Sequence, residues 1–206
     1  MLLDRHIYRK QYPPIEDMDH HVIVDISALI LKMGNFQDLT MSYTVKFVLI
    51  MKWHDNHLMY ANLKQNFREN LIDDEKKNSI WIPPLTFNNS DGNVMVSVDE
   101  PSAKVFVEKT GKPTVASTSV IDETLYYSGH DNNVVFIAEY ENAFHCNFEL
   151  TCYPFDTQIC AVEVSGYFWY ESSANRRCRF ILFYTFLLFS LTMHIFDTGK
   201  IISVRH

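Results

Sequence analysis

Apolar and polar residues alternate with a period of two along most of this chain. From His21, the side chains of Val22, Val24 and Ile26 share one face, with Ile23 and Asp25 on the other. Residues 41–53, MSYTVKFVLIMKW, set Tyr43, Val45, Phe47, Leu49, Met51 and Trp53 on one side against a mixed side of Thr44, Lys46, Val48, Ile50 and Lys52. Successive Cβ atoms of a strand leave on opposite faces, so this pattern predicts a long strand with one buried side. Shorter strands are predicted at Val94–Val98, at Val105 and Val107, from Thr114 to Ile121 and from Val134 to Ala138. Turn residues separate them at Gly34-Asn35, Asp55-Asn56, Asn88–Gly92, Gly111-Lys112-Pro113 and Ser128–Asp131. Ile80-Trp81-Ile82-Pro83-Pro84 is apolar, but proline has no N–H to continue a ladder. Residues 64–79 are highly charged and read as a solvated loop. Helical periodicity is nearly absent and no internal repeat is visible. Many short strands punctuated by turns predict an all-β sandwich or barrel.

Composition narrows the function. The 206 residues suit one domain, or one with an appendage, and 47% hydrophobic residues supply a core. A net charge of −7 argues against a general nucleic-acid binder, which needs a basic face. No hydrolase elbow, P-loop, dinucleotide or zinc-protease motif occurs, so no enzyme is expected. His20-His21, the pair His54 and His57, and His145 lack a spaced set of partners and read as solvated; no metal and no cofactor are expected. Asn88 heads an N-x-S sequon and is the candidate glycosylation site. The N-terminus, MLLDRHIYRKQYPP, has no apolar run and does not read as a signal peptide, which alone points to the cytosol. Cys146, Cys152, Cys160 and Cys178 all lie in the last third, with no pair at CxxC spacing.

One stretch decides the reading. Cys146 and Cys160 enclose thirteen residues that contain Leu150, then Tyr153-Pro154-Phe155-Asp156, then Gln158. This resembles the signature loop of the Cys-loop pentameric ligand-gated ion channels. Trp53-His54-Asp55-Asn56-His57-Leu58 resembles the family's W-x-D-x-R-L segment, with His57 for arginine. Ile80-Trp81-Ile82-Pro83 with Phe87 and Asn89 resembles its I-W-x-P-D-x-x-F-x-N stretch, with Pro84 for aspartate. The likeness covers residues 5 to 170, and YPFD with Tyr127-Ser128-Gly129 stands closer to the inhibitory, anion-selective branch.

The resemblance implies an immunoglobulin-like twisted β-sandwich, a ligand-binding domain displayed outside the plasma membrane. It implies a Cys146–Cys160 disulfide, and with it an oxidising compartment, which conflicts with the missing signal peptide. Closing a loop of about 15 residues contributes roughly 3 kcal/mol in the chain-entropy picture. The loop's tip, Tyr153, Pro154, Phe155 and Asp156, would pass movement to a pore domain. Trp53, Asp55, Trp81, Pro83 and Gln158 are the structural signature. A small transmitter-like ligand would bind between sister subunits of a homo- or hetero-pentamer, boxed by aromatics that attract ammonium groups. Tyr167 stands seven residues after the second loop cysteine, where the family places one such aromatic. Phe87 is the aromatic of another loop, though it also suits a core position. Val48 and Ile50 occupy the complementary-face positions, where the family often carries an aromatic and a polar or cationic residue. An orthodox amino-acid or amine transmitter is therefore in question.

The likeness ends after Tyr170. Residues 1–171 read as a sandwich incomplete at its C-terminal end, and 172–206 as a divergent tail. Arg176-Arg177-Cys178-Arg179 precedes an uncharged run from Phe180 to Phe196, 17 residues at the low edge of a membrane span. The preceding basic cluster would put the N-terminal side in the cytoplasm, against an extracellular domain. Two readings stay open: an unorthodox anchor, or residues foreign to a receptor from a truncated or mis-joined reading frame. The alternative to a channel subunit is a pore-less soluble ligand-binding module or a non-functional truncated product.

Overall fold

The computed structural model describes residues 8–14, 22–92, 95, 100–113, 115–116, 124–151, 157–166, 176–185, 193–196 and 201–203. Twelve strands run in chain order: β1 (Val24–Gln37), β2 (Ser42–His54), β3 (Met59–Ala61), β4 (Leu85–Phe87), β5 (Lys104–Glu108), β6 (Val115–Ala116), β7 (Leu125–Ser128), β8 (Asn133–His145), β9 (Thr157–Gly166), β10 (Arg176–Thr185), β11 (Met193–Phe196) and β12 (Ile201–Ser203). Helix is confined, among the described residues, to α1 (Asp74–Lys77) and a 3₁₀ turn at Phe67–Glu69. The strands form three sheets, ordered β1-β2-β8-β5, β12-β11-β10-β9-β4 and β3-β7-β6. The fold is all-β, as the alternation predicts, and the strand pairs with a given register are antiparallel.

The chain divides into two compact units. One holds residues 1–28, 49–83 and 98–139; the other holds 29–48, 84–97 and 140–206. The long strands β1, β2 and β8 contribute residues to both. β2 carries the clearest signal: Tyr43, Val45, Phe47, Leu49, Met51 and Trp53 are 0–2% exposed, and the residues between them are half-buried. Each unit then has its own aromatic centre. In the first, Trp53 and Trp81 meet edge to face at 6.1 Å. Leu58, Tyr60, Val105, Val107, Tyr127 and Phe136 are also buried there. In the second, the Phe47 ring meets Phe87 at 5.5 Å, Tyr140 at 5.8 Å and Phe144 at 6.2 Å. Such ring pairs add about 0.5–1.5 kcal/mol each beyond the burial of their area.

One turn falls elsewhere than the sequence suggests. Gly34-Asn35 does not end β1; the strand runs to Gln37 and the reversal occurs at Asp38–Met41. Asn35 takes a left-handed φ of 51° inside the strand, which asparagine tolerates better than most residues. Asp38 makes the turn instead: its carboxylate accepts the Leu39 N–H at 2.9 Å, and Met41 closes it at φ 49°. Residues 80–84 form no ladder, as their prolines require. The charged segment is solvated as expected, with ion pairs Lys64–Glu69 and Lys76–Asp73 on its surface.

Beyond residue 171 the chain returns to strand. β10 pairs antiparallel with β9 at ten positions, from Arg176 opposite Gly166 to Thr185 opposite Thr157. Part of the uncharged run therefore lies in β10 and all of β11. Among the described residues, no helix is long and apolar enough to cross a membrane.

Candidate functional site

The loop that carries the motif is closed. Cys146 and Cys160 form a disulfide across 5.4 Å between Cα atoms, and both are buried. Gln158 braces the loop from inside: its amide donates to the Glu149 carbonyl at 2.8 Å and accepts the Glu149 N–H at 2.9 Å. An amide suits that two-point bond, because it offers a donor and an acceptor side by side without a charge. The Cys146 N–H donates to the Met41 carbonyl at 2.8 Å, which fastens the Asp38–Met41 turn beside the disulfide. Leu39, at the crest of that turn, is 95% exposed, and Phe36, Met41 and Leu150 also present apolar surface. The turn carries no motif, and the sequence offers no signal for its part in this end of the unit. The tip residues Tyr153, Pro154, Phe155 and Asp156 lie outside the described residues.

The sequon turn beneath is a clamp. The Asn89 amide donates to the carbonyls of His145 at 3.0 Å and Ala161 at 2.6 Å, and its oxygen accepts the Glu163 N–H at 2.8 Å. One side chain thus joins the end of β8 to β9. Asn88 accepts from the Ser165 hydroxyl at 2.8 Å, and the buried Ser90 hydroxyl donates to the Phe87 carbonyl at 2.8 Å. All three sequon side chains are held by the fold. Asparagine in a turn is a common signal, but its bonding across 56 to 74 residues is not readable from sequence.

The signature residues of the first unit also meet. Asp55 is 0% exposed. It accepts the Tyr8 hydroxyl at 2.6 Å and the His57 N–H at 3.1 Å. The Tyr8 oxygen in turn accepts the Trp81 N–H at 2.8 Å. Burial pushes the Asp55 carboxyl above its usual range, and the bonds from Tyr8 and His57 only partly offset that. Burial, with the neighbouring carboxylate, likewise pushes the Tyr8 hydroxyl up, so it stays a donor. Pro83 is buried beside this cluster in sequence. Gly129 closes it: a Cβ there would stand 2.0 Å from the Asp55 carbonyl oxygen.

Three of the expected ligand positions lie among the described residues. Phe87 is 0% exposed and its ring meets Phe47, Tyr140 and Phe144. Val48 and Ile50 are half-buried on the outer face of β2. Farther along that face, Lys52 pairs with Glu108 at 3.0 Å, and Asn133 donates to the same carboxylate at 3.1 Å. Tyr167 lies outside the described residues. In the first unit, a cleft of about 190 Å³ is lined by Tyr60, Asn62, Lys64, Glu69, Asn70 and Lys76, among others. Its lysines are the ones already paired with Glu69 and Asp73. No group of three metal-ligating side chains occurs among the described residues.

The sequence is similar to those of known proteins. The family described as the neurotransmitter-gated ion-channel ligand binding domain matches residues 1–177. A glutamate-gated chloride channel of Drosophila melanogaster is 20% identical over 155 residues, 75% of this chain and 29% of that protein. Glycine receptor subunit beta-type 4 of Caenorhabditis elegans is 26% identical over 161 residues, 78% of this chain and 29% of the relative. The serotonin-gated chloride channel mod-1 of the same organism is also 26% identical, over 78% of this chain and 28% of its own length. The chain thus spans under a third of the length of these relatives, which are ion channels and not enzymes. With its disulfide-closed loop and its matched residues, the chain belongs to the neurotransmitter-gated ion-channel ligand-binding domain family.

Proposed function

We propose that this chain is the extracellular ligand-binding part of a subunit of a transmitter-gated channel at the plasma membrane, assembled with sister subunits as a homo- or hetero-pentamer. A small ligand binds between subunits, with Tyr167 on one face and the outer face of β2, at Val48 and Ile50, on the other. Phe87 supports that site from the core. The loop closed by Cys146 and Cys160 then carries the movement to a pore domain through Tyr153, Pro154, Phe155 and Asp156. The observation that carries the reading is the disulfide loop braced by Gln158 beside an exposed apolar turn at Leu39. Exposed apolar surface on a stiff frame suits a docking partner rather than water. Ligand drives opening only through unequal affinity for two states. Two of the named relatives are glutamate- and serotonin-gated chloride channels and the third is a glycine receptor subunit, which makes those three transmitters the first probes.

The test joins residues 1–177 to the pore domain of a chloride-channel relative and records current at the cell surface under glutamate, glycine and serotonin. One probe should open the channel, and Tyr167→Ala should raise its half-maximal concentration at least about tenfold, the loss of one aromatic contact at about 1.4 kcal/mol or more. Surface-assembled chimeras silent to all three probes, or a Tyr167→Ala response equal to the parent, would refute the reading.

A further inference from the structure

Asn88-Asn89-Ser90 is the only N-x-S/T sequon in the sequence. The turn that carries it is tied to two strands of the second unit. On one side, the Asn88 N–H donates to the Glu163 carbonyl on β9 at 2.8 Å. On the other, the Asn89 carbonyl accepts the His145 N–H at 2.8 Å, and the Asp91 N–H donates to the Ala143 carbonyl at 3.1 Å, both on β8. Asn89 adds its three side-chain bonds, and the buried Ser90 hydroxyl is turned onto the Phe87 carbonyl. The two ends of the Asn88 amide differ. Its oxygen accepts from the hydroxyl of the buried Ser165. Its nitrogen has no hydrogen-bond partner among the described residues, yet it is not one of the buried polar atoms left unpaired. In a half-buried residue, that nitrogen reaches water.

We propose that Asn88 is N-glycosylated before the sequon turn closes, that closure then shuts the site to transfer, and that the finished fold carries the glycan outward on Nδ2. The co-substrate is a lipid-linked oligosaccharide diphosphate. The bond from Nδ2 to the first sugar carbon forms as that carbon's bond to the phosphate oxygen breaks. The lipid diphosphate leaves with the bonding electrons, and one Nδ2 proton is released. Transfer reads the asparagine together with the hydroxyl two residues on. In the fold that hydroxyl is buried and the backbone is tied on both sides, so the sequon cannot be drawn out. The product nevertheless fits the fold. A glycosylated amide keeps its oxygen, which still accepts from Ser165, and its nitrogen gives up no bond. The Cys146–Cys160 disulfide calls for the same oxidising, exported setting in which such glycans are added. The inference rests on the extracellular part of the proposed function and is independent of ligand, assembly and gating.

A purified oligosaccharyltransferase with its lipid-linked donor tests the order of events on the full chain. Reduced, S-carboxymethylated and shown to be unfolded by circular dichroism, the chain should take up one glycan, read by mass on the tryptic peptide 78–104. Ser90→Ala in the same state should take none. The oxidised, folded chain should react at least about tenfold more slowly, because a site that must open first is modified in proportion to its open fraction. Asn89→Ala keeps the sequon and removes the clamp, so it should react faster than the folded parent. The full chain exported from animal cells behind a cleavable leader should carry the glycan with its disulfide closed. An unfolded chain left unmodified would overturn the site. A folded chain as reactive as the unfolded one, or Asn89→Ala no faster than the folded parent, would overturn the closure. An exported chain bare at Asn88, or a glycan found only on aggregated chain, would overturn its retention on the fold. The purified reactions need no export, so their outcome stands apart from that of the channel chimera.

Discussion

Truncating Asn89 to alanine isolates what the clamp contributes. The side chain makes three bonds, two as donor and one as acceptor, to backbone groups of His145, Ala161 and Glu163. The bonds to Ala161 and Glu163 are partly buried and that to His145 is exposed. A protein hydrogen bond contributes about 0.5–1.5 kcal/mol net, and a buried group left without its partner costs about 1–3 kcal/mol. The exposed His145 carbonyl can turn to water, so Asn89→Ala should cost about 2–4 kcal/mol. For a chain of this size that is roughly 5–15 °C in Tm. Urea unfolding followed by far-ultraviolet circular dichroism reads the loss directly. Asn89→Asp provides the internal control. It keeps an acceptor for the Glu163 N–H but faces two carbonyl oxygens with a carboxylate, so it should fare no better than alanine. Ser165→Ala, which removes the single bond to Asn88, should cost about 1 kcal/mol. An Asn89→Ala loss below about 1 kcal/mol, or an aspartate as stable as the parent, would refute the clamp.

Other outcomes follow from the same geometry. Reducing the Cys146–Cys160 bond should lower stability by about 2–4 kcal/mol, the range for closing a loop of this length, and a Tm unmoved by reductant would contradict it. Gly129→Ala places a Cβ 2.0 Å from the Asp55 oxygen and 2.8 Å from that of Leu58, both backbone atoms; a loss of about 1–3 kcal/mol or more is expected on thermal unfolding, and a neutral result would mean the turn lies differently. Asp55→Asn tests the sign of the buried charge. The folded carboxyl is raised by burial, so its contribution is fullest below the unfolded value and is lost as pH rises through the folded one. The parent should therefore gain on Asp55→Asn between pH 7 and 4 in urea midpoints, and a gap that moves the other way would sink the assignment.

The alternation of β2 was legible because burial on one side of a strand writes itself into every second residue, and Tyr43 to Trp53 obey it without exception. The disulfide was legible only through likeness, since no spacing rule pairs two cysteines among four. Gly34-Asn35 misled because a turn signal states that a residue tolerates a left-handed backbone, not that the strand ends there. Phe87 shows a further limit. An aromatic in a motif carries no mark of whether its ring faces a ligand or the core, and here it is buried among three other aromatic side chains.

By itself, the amino-acid sequence determined the fold class, the buried face of β2, the breaks at the prolines and the family, because these rest on local period and on residues a few positions apart. Only the tertiary structure decided that Asn89 bridges β8 to β9, that Tyr8 lies on Asp55 and that the Leu39 turn stands beside the disulfide. Those bonds join residues 47 to 105 positions apart, from Tyr8 and Asp55 to Met41 and Cys146. A polar side chain meets the same local requirements wherever its partner is, so only the packed chain selects which carbonyl or carboxylate it finds.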